Sequence, residues 1–392
     1  MNIRKRRNIG AHCILACLYF LLLPTTIAVN SSGNSFLKLA TIPIAAYFVI
    51  TIIFSKKTLQ FNAVHLLLCV YTLSALITLF MSPDTVSIYS VFGYFLNAAL
   101  YLCLTVVRYN EEELSLMENV QVLLLLILVS ITLFSNAEMA DRTTLMIFGQ
   151  KSDPNYFVGF FVFPICVTLK KIIQSRFRIL YGVLLCLCLY CIFMTGSRGG
   201  LLAIVVTIAA FGLIYPEKAR NKAIIILAGC LFLLVAWFVA KPFLPNNIIS
   251  RMTIENVIET GGTGRWEIWR IMLHEIKYSQ NQFLLGRGFD SMNKIFLDGK
   301  WTSAVAHNQI LQVLYNQGFL GLITFLTLTM GCFLRCLRKR KTVSIAIIGM
   351  MAISVSLSFN QTTRTFWNLV AYAALDFSRS ESHRLAEVDN HD

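Results

Sequence analysis

The sequence predicts an all-α polytopic membrane protein of about twelve transmembrane helices, all within one integral-membrane domain covering residues 1–392. Hydrophobic residues make up 56% of the chain and charged residues only 14%, whereas charged residues account for about 25% of a soluble domain. Apolar runs of the roughly 20 residues that cross a bilayer recur from Ile9 to Phe377. The first run is longer than a signal-peptide core and further runs follow it, which predicts an uncleaved first helix.

Positively charged residues recur in every second connection between the apolar runs. The Lys56-Lys57 pair and the stretch 218–222 are examples, whereas the connections near 30–35 and 82–84 contain no Lys or Arg. Because cytoplasmic loops are enriched in Lys and Arg, this alternation predicts that both termini are cytoplasmic, including a tail at 378–392. The predicted spans cover residues 9–29, 36–54, 61–81, 85–107, 117–135, 155–169, 179–194, 199–215, 223–240, 315–334, 342–358 and 366–377.

One connection, residues 241–314, is far longer than the others and precedes the tenth predicted helix. The alternation places this connection on the extracytoplasmic side, and its length indicates a functional loop. Residues 247–259 and 265–278 have the periodicity of amphipathic helices, and the glycine-rich stretch 261–264 predicts a turn between them. We expect the loop to lie over the bundle as a cap. The apolar side of the second helix is predicted to contain Trp266, Trp269, Leu273 and Ile276.

Two arginines on the predicted outer side are candidate anion-binding residues. Arg198 stands in a short turn between two spans, where a charge is costly and indicates a functional site, although an interfacial arginine extending towards water is the alternative. Arg265 begins a predicted loop helix, whose N-terminus also favours anions; the alternative is a surface ion pair. The guanidinium fork matches phosphate oxygens, so two converging arginines could bind a diphosphate. Arg270 and Arg287 are further candidates.

His307 is a candidate general base on the predicted outer side. It precedes the helix that re-enters the membrane, and a neutral imidazole can accept a proton from a hydroxyl group, although a lone histidine is often structural. His274 lies on the same predicted helix as Arg265 and is a weaker candidate. Asp153 and the other acidic residues assigned to the outer side are scattered, and no D-x-D motif occurs. This pattern predicts chemistry without a metal.

The remaining composition excludes several classes of protein. Nearly all of the eleven cysteines lie in apolar runs, where they are expected to pack as small hydrophobic residues rather than form disulfides or metal sites. The formal charge of +14 is concentrated in connections between spans, so no nucleic-acid partner is expected. We find no phosphate-binding loop or nucleotide fingerprint, and therefore expect no cofactor.

Five short motifs, taken together, resemble the O-antigen ligase family, which includes O-antigen and capsular polysaccharide polymerases. Their order along the chain and their placement around a large late loop carry the resemblance, which covers residues 153–330. The N-terminal helices match in hydropathy alone. The motifs are Asp153-Pro154-Asn155, Thr195-Gly196-Ser197-Arg198-Gly199-Gly200, Gly264-Arg265-Trp266 with Trp269, Leu284-Leu285-Gly286-Arg287-Gly288-Phe289, and Ala306-His307-Asn308 before Gly318-Phe319-Leu320-Gly321.

The resemblance implies a type-C-glycosyltransferase-like fold in the bacterial inner membrane. It also implies metal-independent, inverting transfer of a glycan from an undecaprenyl-diphosphate carrier to an acceptor hydroxyl on the outer face. By position, Arg198 and Arg265 would bind the diphosphate and His307 would activate the hydroxyl. Membrane lipid is an implied partner, and a flippase and a chain-length regulator of the same pathway are candidate partners. Supporting roles are expected for Ser197, Asn155, Arg270, Arg287 and Asn308.

Three functions stay open at the level of sequence. The leading interpretation is a polymerase that joins lipid-linked repeat units of a surface polysaccharide. A ligase that moves the finished glycan to a lipid core or another envelope acceptor shares the same donor and chemistry. A twelve-helix transporter would be expected to place ionisable residues along a mid-membrane path and to have repeated halves. Lys38 is nearly the only charge well inside an early span, and the polar residues concentrate in one outer loop.

Overall fold

The computed structural model describes residues 9–27, 36–54, 59–80, 88–135, 143–144, 146–147, 150–151, 153–253, 255–256, 265–277, 280–288, 294–297, 300–303, 305–355 and 364–375. Helices dominate this part of the chain. They are α1 (Ala11–Leu22), α2 (Phe36–Phe54), α3 (Ala63–Phe80), α4 (Ile88–Val106), α5 (Glu111–Ser135), α6 (Pro154–Gly159), α7 (Val162–Gln174), α8 (Arg178–Met194), α9 (Arg198–Ile214), α10 (Ala219–Ala240), α11 (Asn246–Arg251), α12 (Arg265–Lys277), α13 (Gln280–Leu285), α14 (Gln309–Lys339), α15 (Lys341–Ser354) and α16 (Arg364–Ala374).

The helices agree with the class of fold that the sequence predicts. By length and apolar composition, five helical stretches within the described residues could cross a membrane, and six apolar helices are shorter. An all-α polytopic membrane protein is therefore confirmed, while the number of twelve spans and their sidedness stay predictions. The five long stretches are Ala63–Phe80, Glu111–Phe134, Pro154–Gln174, Ala219–Phe243 and Gln309–Arg338.

Two helices begin earlier than hydropathy predicts because polar caps extend them. α5 starts at Glu111 rather than residue 117: the Asn110 side chain accepts a hydrogen bond from the Glu113 amide, and the Glu113 carboxylate accepts one from the Asn110 amide. This reciprocal arrangement is a capping box. α14 starts at Gln309 rather than residue 315, since the Asn308 side chain accepts from the Leu311 amide. Capping of this kind leaves no trace in a hydropathy profile.

The helices pack around one apolar core, which contains residues of most of the membrane helices. Aromatic rings fill its centre, where Trp367 of α16 stacks on Tyr101 of α4 with ring centroids 6.0 Å apart. α10 buries almost none of its apolar side chains within the protein. A helix that is apolar on all sides and exposed along its length is typical of a surface covered by lipid.

The long connection after α10 contains three helices, α11, α12 and α13, which are followed by an antiparallel hairpin. Strand β3 (Lys294–Leu297) pairs with β4 (Lys300–Ser303), in the register Lys294 to Ser303. A shorter pair, β1 (Met146–Ile147) with β2 (Gln150–Lys151), precedes α6. The hairpin was not predicted from the sequence. Of the predicted first amphipathic helix, α11 covers the first part and residues 255–256 are again helical. Residues 254 and 257–259 lie outside the described residues, as does the glycine-rich stretch 261–264.

The apolar side of α12 differs from the prediction. Trp269 and Ile276 face the protein, where Met272 and Ile276 are buried in a cluster with Ala306, Leu311 and Tyr315. Trp266 and Leu273 point outward instead, with exposed fractions of 58% and 51%. The predicted apolar side of α12 is wider than the side that is buried, because the protein covers only the part of the helix that contacts the start of α14. The loop is thus anchored on α14 through α12.

Candidate active site

The start of α9 is tied to the start of α6 by a chain of polar side chains. Ser197 caps α9 by accepting from the Gly200 amide at 3.1 Å, and its hydroxyl donates to the Asn155 side-chain oxygen at 2.8 Å. The Asn155 side-chain nitrogen in turn donates to the Asp153 carboxylate at 2.9 Å. Asp153 caps α6 by accepting from the Asn155 amide at 2.7 Å. Because Ser197 is buried, this chain fixes where α9 begins.

Arg198 is the first residue of α9 and reaches across to α11 and the residues that follow it. Its Nε donates to the backbone carbonyl of Arg251, and one terminal nitrogen donates to the side-chain oxygen of Asn256. Both partners are neutral oxygens, so they orient the guanidinium without cancelling its charge. Arg251 adds a second guanidinium here, whose Nε is buried without a hydrogen-bond partner in the described part of the chain.

Arg265 is the first residue of α12 and brings a third guanidinium to the same place. Burial lowers its pKa, the neighbouring charges of Arg198 and Arg251 lower it further, and the Asp153 carboxylate opposes the shift. Arginine nevertheless stays protonated at physiological pH. The guanidinium groups of Arg198, Arg251 and Arg265 therefore lie near one another, together with the single carboxylate of Asp153. Such an excess of positive charge in a partly buried position favours an anionic ligand.

His307 lies in a left-handed backbone conformation, with a φ of 48°. This conformation is uncommon for a residue other than glycine, and outliers of this kind are concentrated at functional sites. Its neighbours hold the turn: Trp269 Nε1 donates to the Ala306 carbonyl at 2.6 Å, and the Ala306 amide donates to the Gln312 side-chain oxygen at 2.9 Å. Ala306 is fully buried. The position of His307 is therefore set by α12 and α14 together.

His307 lies near enough to Arg265 and Asp153 for their charges to act on its imidazole. Burial lowers its pKa from the ordinary value of 6.5, the charge of Arg265 lowers it further, and the Asp153 carboxylate acts in the opposite direction. The ring is therefore neutral at physiological pH, which is the protonation state of a proton acceptor. Its Nδ1 is buried and has no hydrogen-bond partner among the described residues.

Part of the chain that contains this site matches a known protein family. The family model described as O-Antigen ligase matches residues 183–326. These residues are therefore similar to the O-antigen ligase family. The match confirms the family resemblance that the motifs indicate. No curated protein matches the chain.

The matched residues include the three arginines and His307, whereas Asp153 and Asn155 precede them. The family indicates a glycosyltransferase-like enzyme with a ligase- or polymerase-type function in envelope glycan biosynthesis. Membrane lipid and lipid-linked glycans are the partners that this family implies. The candidate site thus lies largely within the residues that are similar to this family.

Two of the supporting residues expected from the sequence lie away from this cluster. The side chain of Arg270 is 80% exposed and its nearest carboxylate is Glu267 on the same helix, at 3.8 Å. Arg287 is 2.7 Å from the Glu275 carboxylate and donates to the Tyr315 hydroxyl at 2.7 Å. These contacts attach the segment after α13 to α12 and α14, which is a positioning role. The other expected residues, Ser197, Asn155 and Asn308, lie at the cluster or next to His307.

Sequence reasoning assigned no role at this site to Asp153, Arg251 or Asn256. Asp153 stood in the first motif but otherwise looked like one of several scattered outer acids, yet it acts electrostatically on both Arg265 and His307. Arg251 was one outer cation among many, and Asn256 carries no readable signal. Among the described residues, no group of three or more His, Cys, Asp or Glu side chains could hold a metal ion.

The long helix α14 is interrupted where the loop contacts it. Gly318 has φ 63° and ψ −164°, a non-helical conformation inside the helix. The interruption frees the carbonyls of Tyr315 and Asn316, which accept from the amides of Arg287 and Gly288, both at 2.9 Å. The polar first part of α14, which directly follows His307 and Asn308, is therefore held by the loop as well as by the membrane part of the helix.

Proposed function

We propose that this protein is a polysaccharide polymerase that transfers a glycan from an undecaprenyl-diphosphate carrier to a hydroxyl group of a second lipid-linked repeat unit on the outer face of the membrane. The observation that carries the proposal is the convergence of Arg198, Arg251 and Arg265 beside a neutral His307. A diphosphate leaving group needs cations, and an acceptor hydroxyl needs a base. The cluster offers both within the residues that match the O-antigen ligase family.

In the proposed reaction His307 accepts the proton of the acceptor hydroxyl while the hydroxyl oxygen attacks the anomeric carbon. The bond from that carbon to the diphosphate oxygen breaks, and the carrier leaves as undecaprenyl diphosphate. A new glycosidic bond forms with inversion at the anomeric carbon. The proton of the hydroxyl ends on His307 and the electron pair of the broken bond ends on the diphosphate, so the step balances without a further reactant.

The arginines stabilise the charge that grows on the departing diphosphate. Preorganised cations act most strongly when they are fixed before the reaction, and the hydrogen bonds of Arg198 to Arg251 and Asn256 fix one of them. Three guanidinium groups can supply the positive charge that a bound metal supplies in other transferases. We therefore propose a reaction that does not depend on a metal.

Asp153 limits how far the cations lower the basicity of His307. Its carboxylate raises the pKa of the imidazole while Arg265 and burial lower it. Without this opposition the histidine would be a weaker base. We propose that Asp153 tunes the proton acceptor, while Ser197 and Asn155 hold the two helix starts in register.

A ligase function is the second candidate, and the description of the matching family favours it. A ligase would use the same donor and the same residues and would differ in its acceptor. A flippase and a chain-length regulator are proposed partners for the polymerase, since one supplies the lipid-linked units and the other ends the chain.

The decisive experiment incubates the purified protein with undecaprenyl-diphosphate repeat units in the presence of a chelator. A ladder of longer lipid-linked products is expected for a polymerase. Transfer only to an added lipid core would establish the ligase instead, and no transfer under either condition would overturn both proposals.

Variants test the assigned residues in the same assay. His307→Ala is expected to lower the rate by about 10²- to 10⁴-fold, the usual contribution of a general base. Arg198→Ala is expected to lower it by about 10²- to 10³-fold, as does loss of one preorganised donor in other enzymes. Lys277→Ala, at the exposed end of α12, is the matched control and should keep the wild-type rate. Product formed at the normal rate by the His307 variant would refute the mechanism.

A further inference from the structure

A cavity of about 360 Å³ lies at the end of the bundle opposite to the candidate active site. Tyr215, which follows α9, lines this cavity, whereas Arg198 at the other end of α9 belongs to the site. The 17 residues of α9 span about 25 Å, which separates the two places. Four cationic side chains line the cavity, together with two acidic ones, Glu111 and Glu118. The cations are Lys170, Arg338, Arg340 and Lys341.

The cations are only partly neutralised. Lys170 pairs with Glu118 at 2.6 Å. Lys341, however, donates to the Tyr215 carbonyl at 3.3 Å, and its carboxylate partner Glu217 is 3.7 Å away with an 89% exposed side chain. An exposed pair of this kind contributes little. A carbonyl oxygen fixes the position of an ammonium group but leaves its charge in place.

Two further cations add to this charge. Arg340 donates to the backbone carbonyl of Tyr372, which orients its guanidinium. Arg338 forms no ion pair with any residue in the described ranges. Arg340 and Lys341 are partly buried, whereas Arg338 is exposed, and partly buried cations are normally matched by anions. The four cations outnumber the two acidic side chains of the lining, so the cavity has an excess of positive charge.

The start of α15 also favours an anion in this cavity. Arg340 stands at its N-cap position and makes no capping hydrogen bond with its side chain. The next residues, Lys341, Thr342 and Val343, all line the cavity. The first amides of a helix have no intrahelical acceptor and carry partial positive charge, which favours an anion. A cation in the first turn adds to this effect instead of offsetting it.

We propose that this cavity binds the phosphate group of an anionic phospholipid. A phosphodiester offers two charged oxygens to the guanidinium and ammonium groups, and the apolar side chains of Leu114 and Val343 beside them suit the glycerol and the first acyl carbons. Basic cavities between the ends of membrane helices are recognised sites for lipid headgroups. The volume lies within the range of ligand pockets. The proposal does not depend on glycan transfer.

Binding would join the ends of several helices, one of which, α14, also contributes to the candidate active site. The cavity is lined by residues at the start of α5, the end of α7, the end of α14 and the start of α15. A ligand that binds only the folded protein stabilises it by mass action. Anionic lipid should therefore raise the temperature at which the purified protein unfolds.

The test is a lipid titration of the purified full-length protein in a neutral detergent, read as the midpoint of thermal unfolding. Phosphatidylglycerol is expected to raise the midpoint, with half of the shift reached at a defined concentration, while phosphatidylcholine is expected to leave it unchanged. The double variant Arg338→Gln, Lys341→Gln should need at least tenfold more phosphatidylglycerol for the same shift. If the double variant folds poorly, Arg338→Gln alone replaces it in the test. This residue is exposed, and its loss should have an intermediate effect on the concentration of phosphatidylglycerol that is needed.

A matched control removes the same charges from the same end of the bundle. Lys218→Gln with Arg220→Gln changes two exposed cations at the start of α10 that do not line the cavity, and should titrate like the wild type. Equal loss of response in the control and in the cavity variant would reduce the effect to general surface charge and overturn the proposal.

Two other occupants are separated by further arms of the experiment. If inorganic phosphate alone reproduces the full shift and abolishes the response to lipid, the ligand is a free anion and the lipid assignment is wrong. Residues 378–392 follow α16 and contain acidic side chains. If a chain ending at residue 377 responds to phosphatidylglycerol and the full chain does not, the tail occupies the cavity and the proposal fails. Equal responses of the two chains support lipid binding.

Discussion

Gly318 lies where the loop contacts the long helix α14. Replacing it with alanine adds one methyl group, which should separate the loop from this helix. The backbone of Gly318, with φ 63° and ψ −164°, lies in a region that is essentially restricted to glycine and costs other residues about 1–3 kcal/mol. An added Cβ would also collide with the Leu284 carbonyl and lie 2.5 Å from the Gly286 nitrogen. These neighbours are backbone atoms, so the collision is relieved only if the chain segment moves.

The expected magnitude follows from the contacts that this movement breaks. The amides of Arg287 and Gly288 would lose their bonds to the Tyr315 and Asn316 carbonyls, each with a net contribution of about 1 kcal/mol. Together with the backbone cost, Gly318→Ala should favour local opening by at least about 3 kcal/mol. Since 1.4 kcal/mol corresponds to a factor of ten, the amides of Arg287 and Gly288 should exchange hydrogen roughly 100-fold faster.

Hydrogen exchange of the purified protein, followed by mass spectrometry of the peptide that contains Arg287 and Gly288, measures this opening. Transfer activity should fall by up to about 100-fold, because small displacements of catalytic groups have effects of this size, and the segment before Gly318 carries His307 at its start. Gly182→Ala is the control, since a Cβ there meets nothing within 4 Å and alanine favours the helix. Wild-type exchange and activity in Gly318→Ala would refute the reasoning.

Two further changes test how His307 is held and tuned. Trp269→Phe removes the donor to the buried Ala306 carbonyl, which costs about 1–3 kcal/mol, so the transfer rate should fall roughly tenfold. The control Trp266→Phe, at a 58% exposed position, should leave the rate unchanged. Equal rates in the two variants would contradict the assigned contact. Asp153→Asn keeps a good helix cap but removes the charge that raises the pKa of His307. Because the imidazole must be neutral to act as a base, the acidic limb of the pH profile of kcat/KM should move to lower pH, and a limb that moved to higher pH would argue against His307 as the base.

The helices were predictable because each membrane span must satisfy its backbone hydrogen bonds internally and remain apolar along its length. That requirement acts on each segment separately, so hydropathy located α2, α8 and α9 to within about two residues. It could not locate the starts of α5 and α14. These depend on Asn110 and Asn308, whose side chains hydrogen bond to the backbone of the following turn.

The candidate site was predictable one residue at a time. Arg198, Arg265 and His307 stood out because charges and polar groups beside a membrane are costly and therefore rare. Arg287 stood out for the same reason, yet it pairs with Glu275 and Tyr315 and holds the loop in place. Residue type indicates what a side chain can bind, but only its neighbours decide which of these interactions forms.

The sequence by itself determined the all-α membrane class, the presence of one large polar loop and the family of the segment that contains it. The tertiary structure alone decided that Asp153 acts on Arg265 and His307, that Arg251 joins the cluster, and that Trp269 holds the turn before His307. The physical reason is distance. Composition and periodicity are properties of a local stretch of chain, whereas the electrostatic and hydrogen-bonding interactions of the site join residues more than 30 positions apart, and only folding brings them within range of one another.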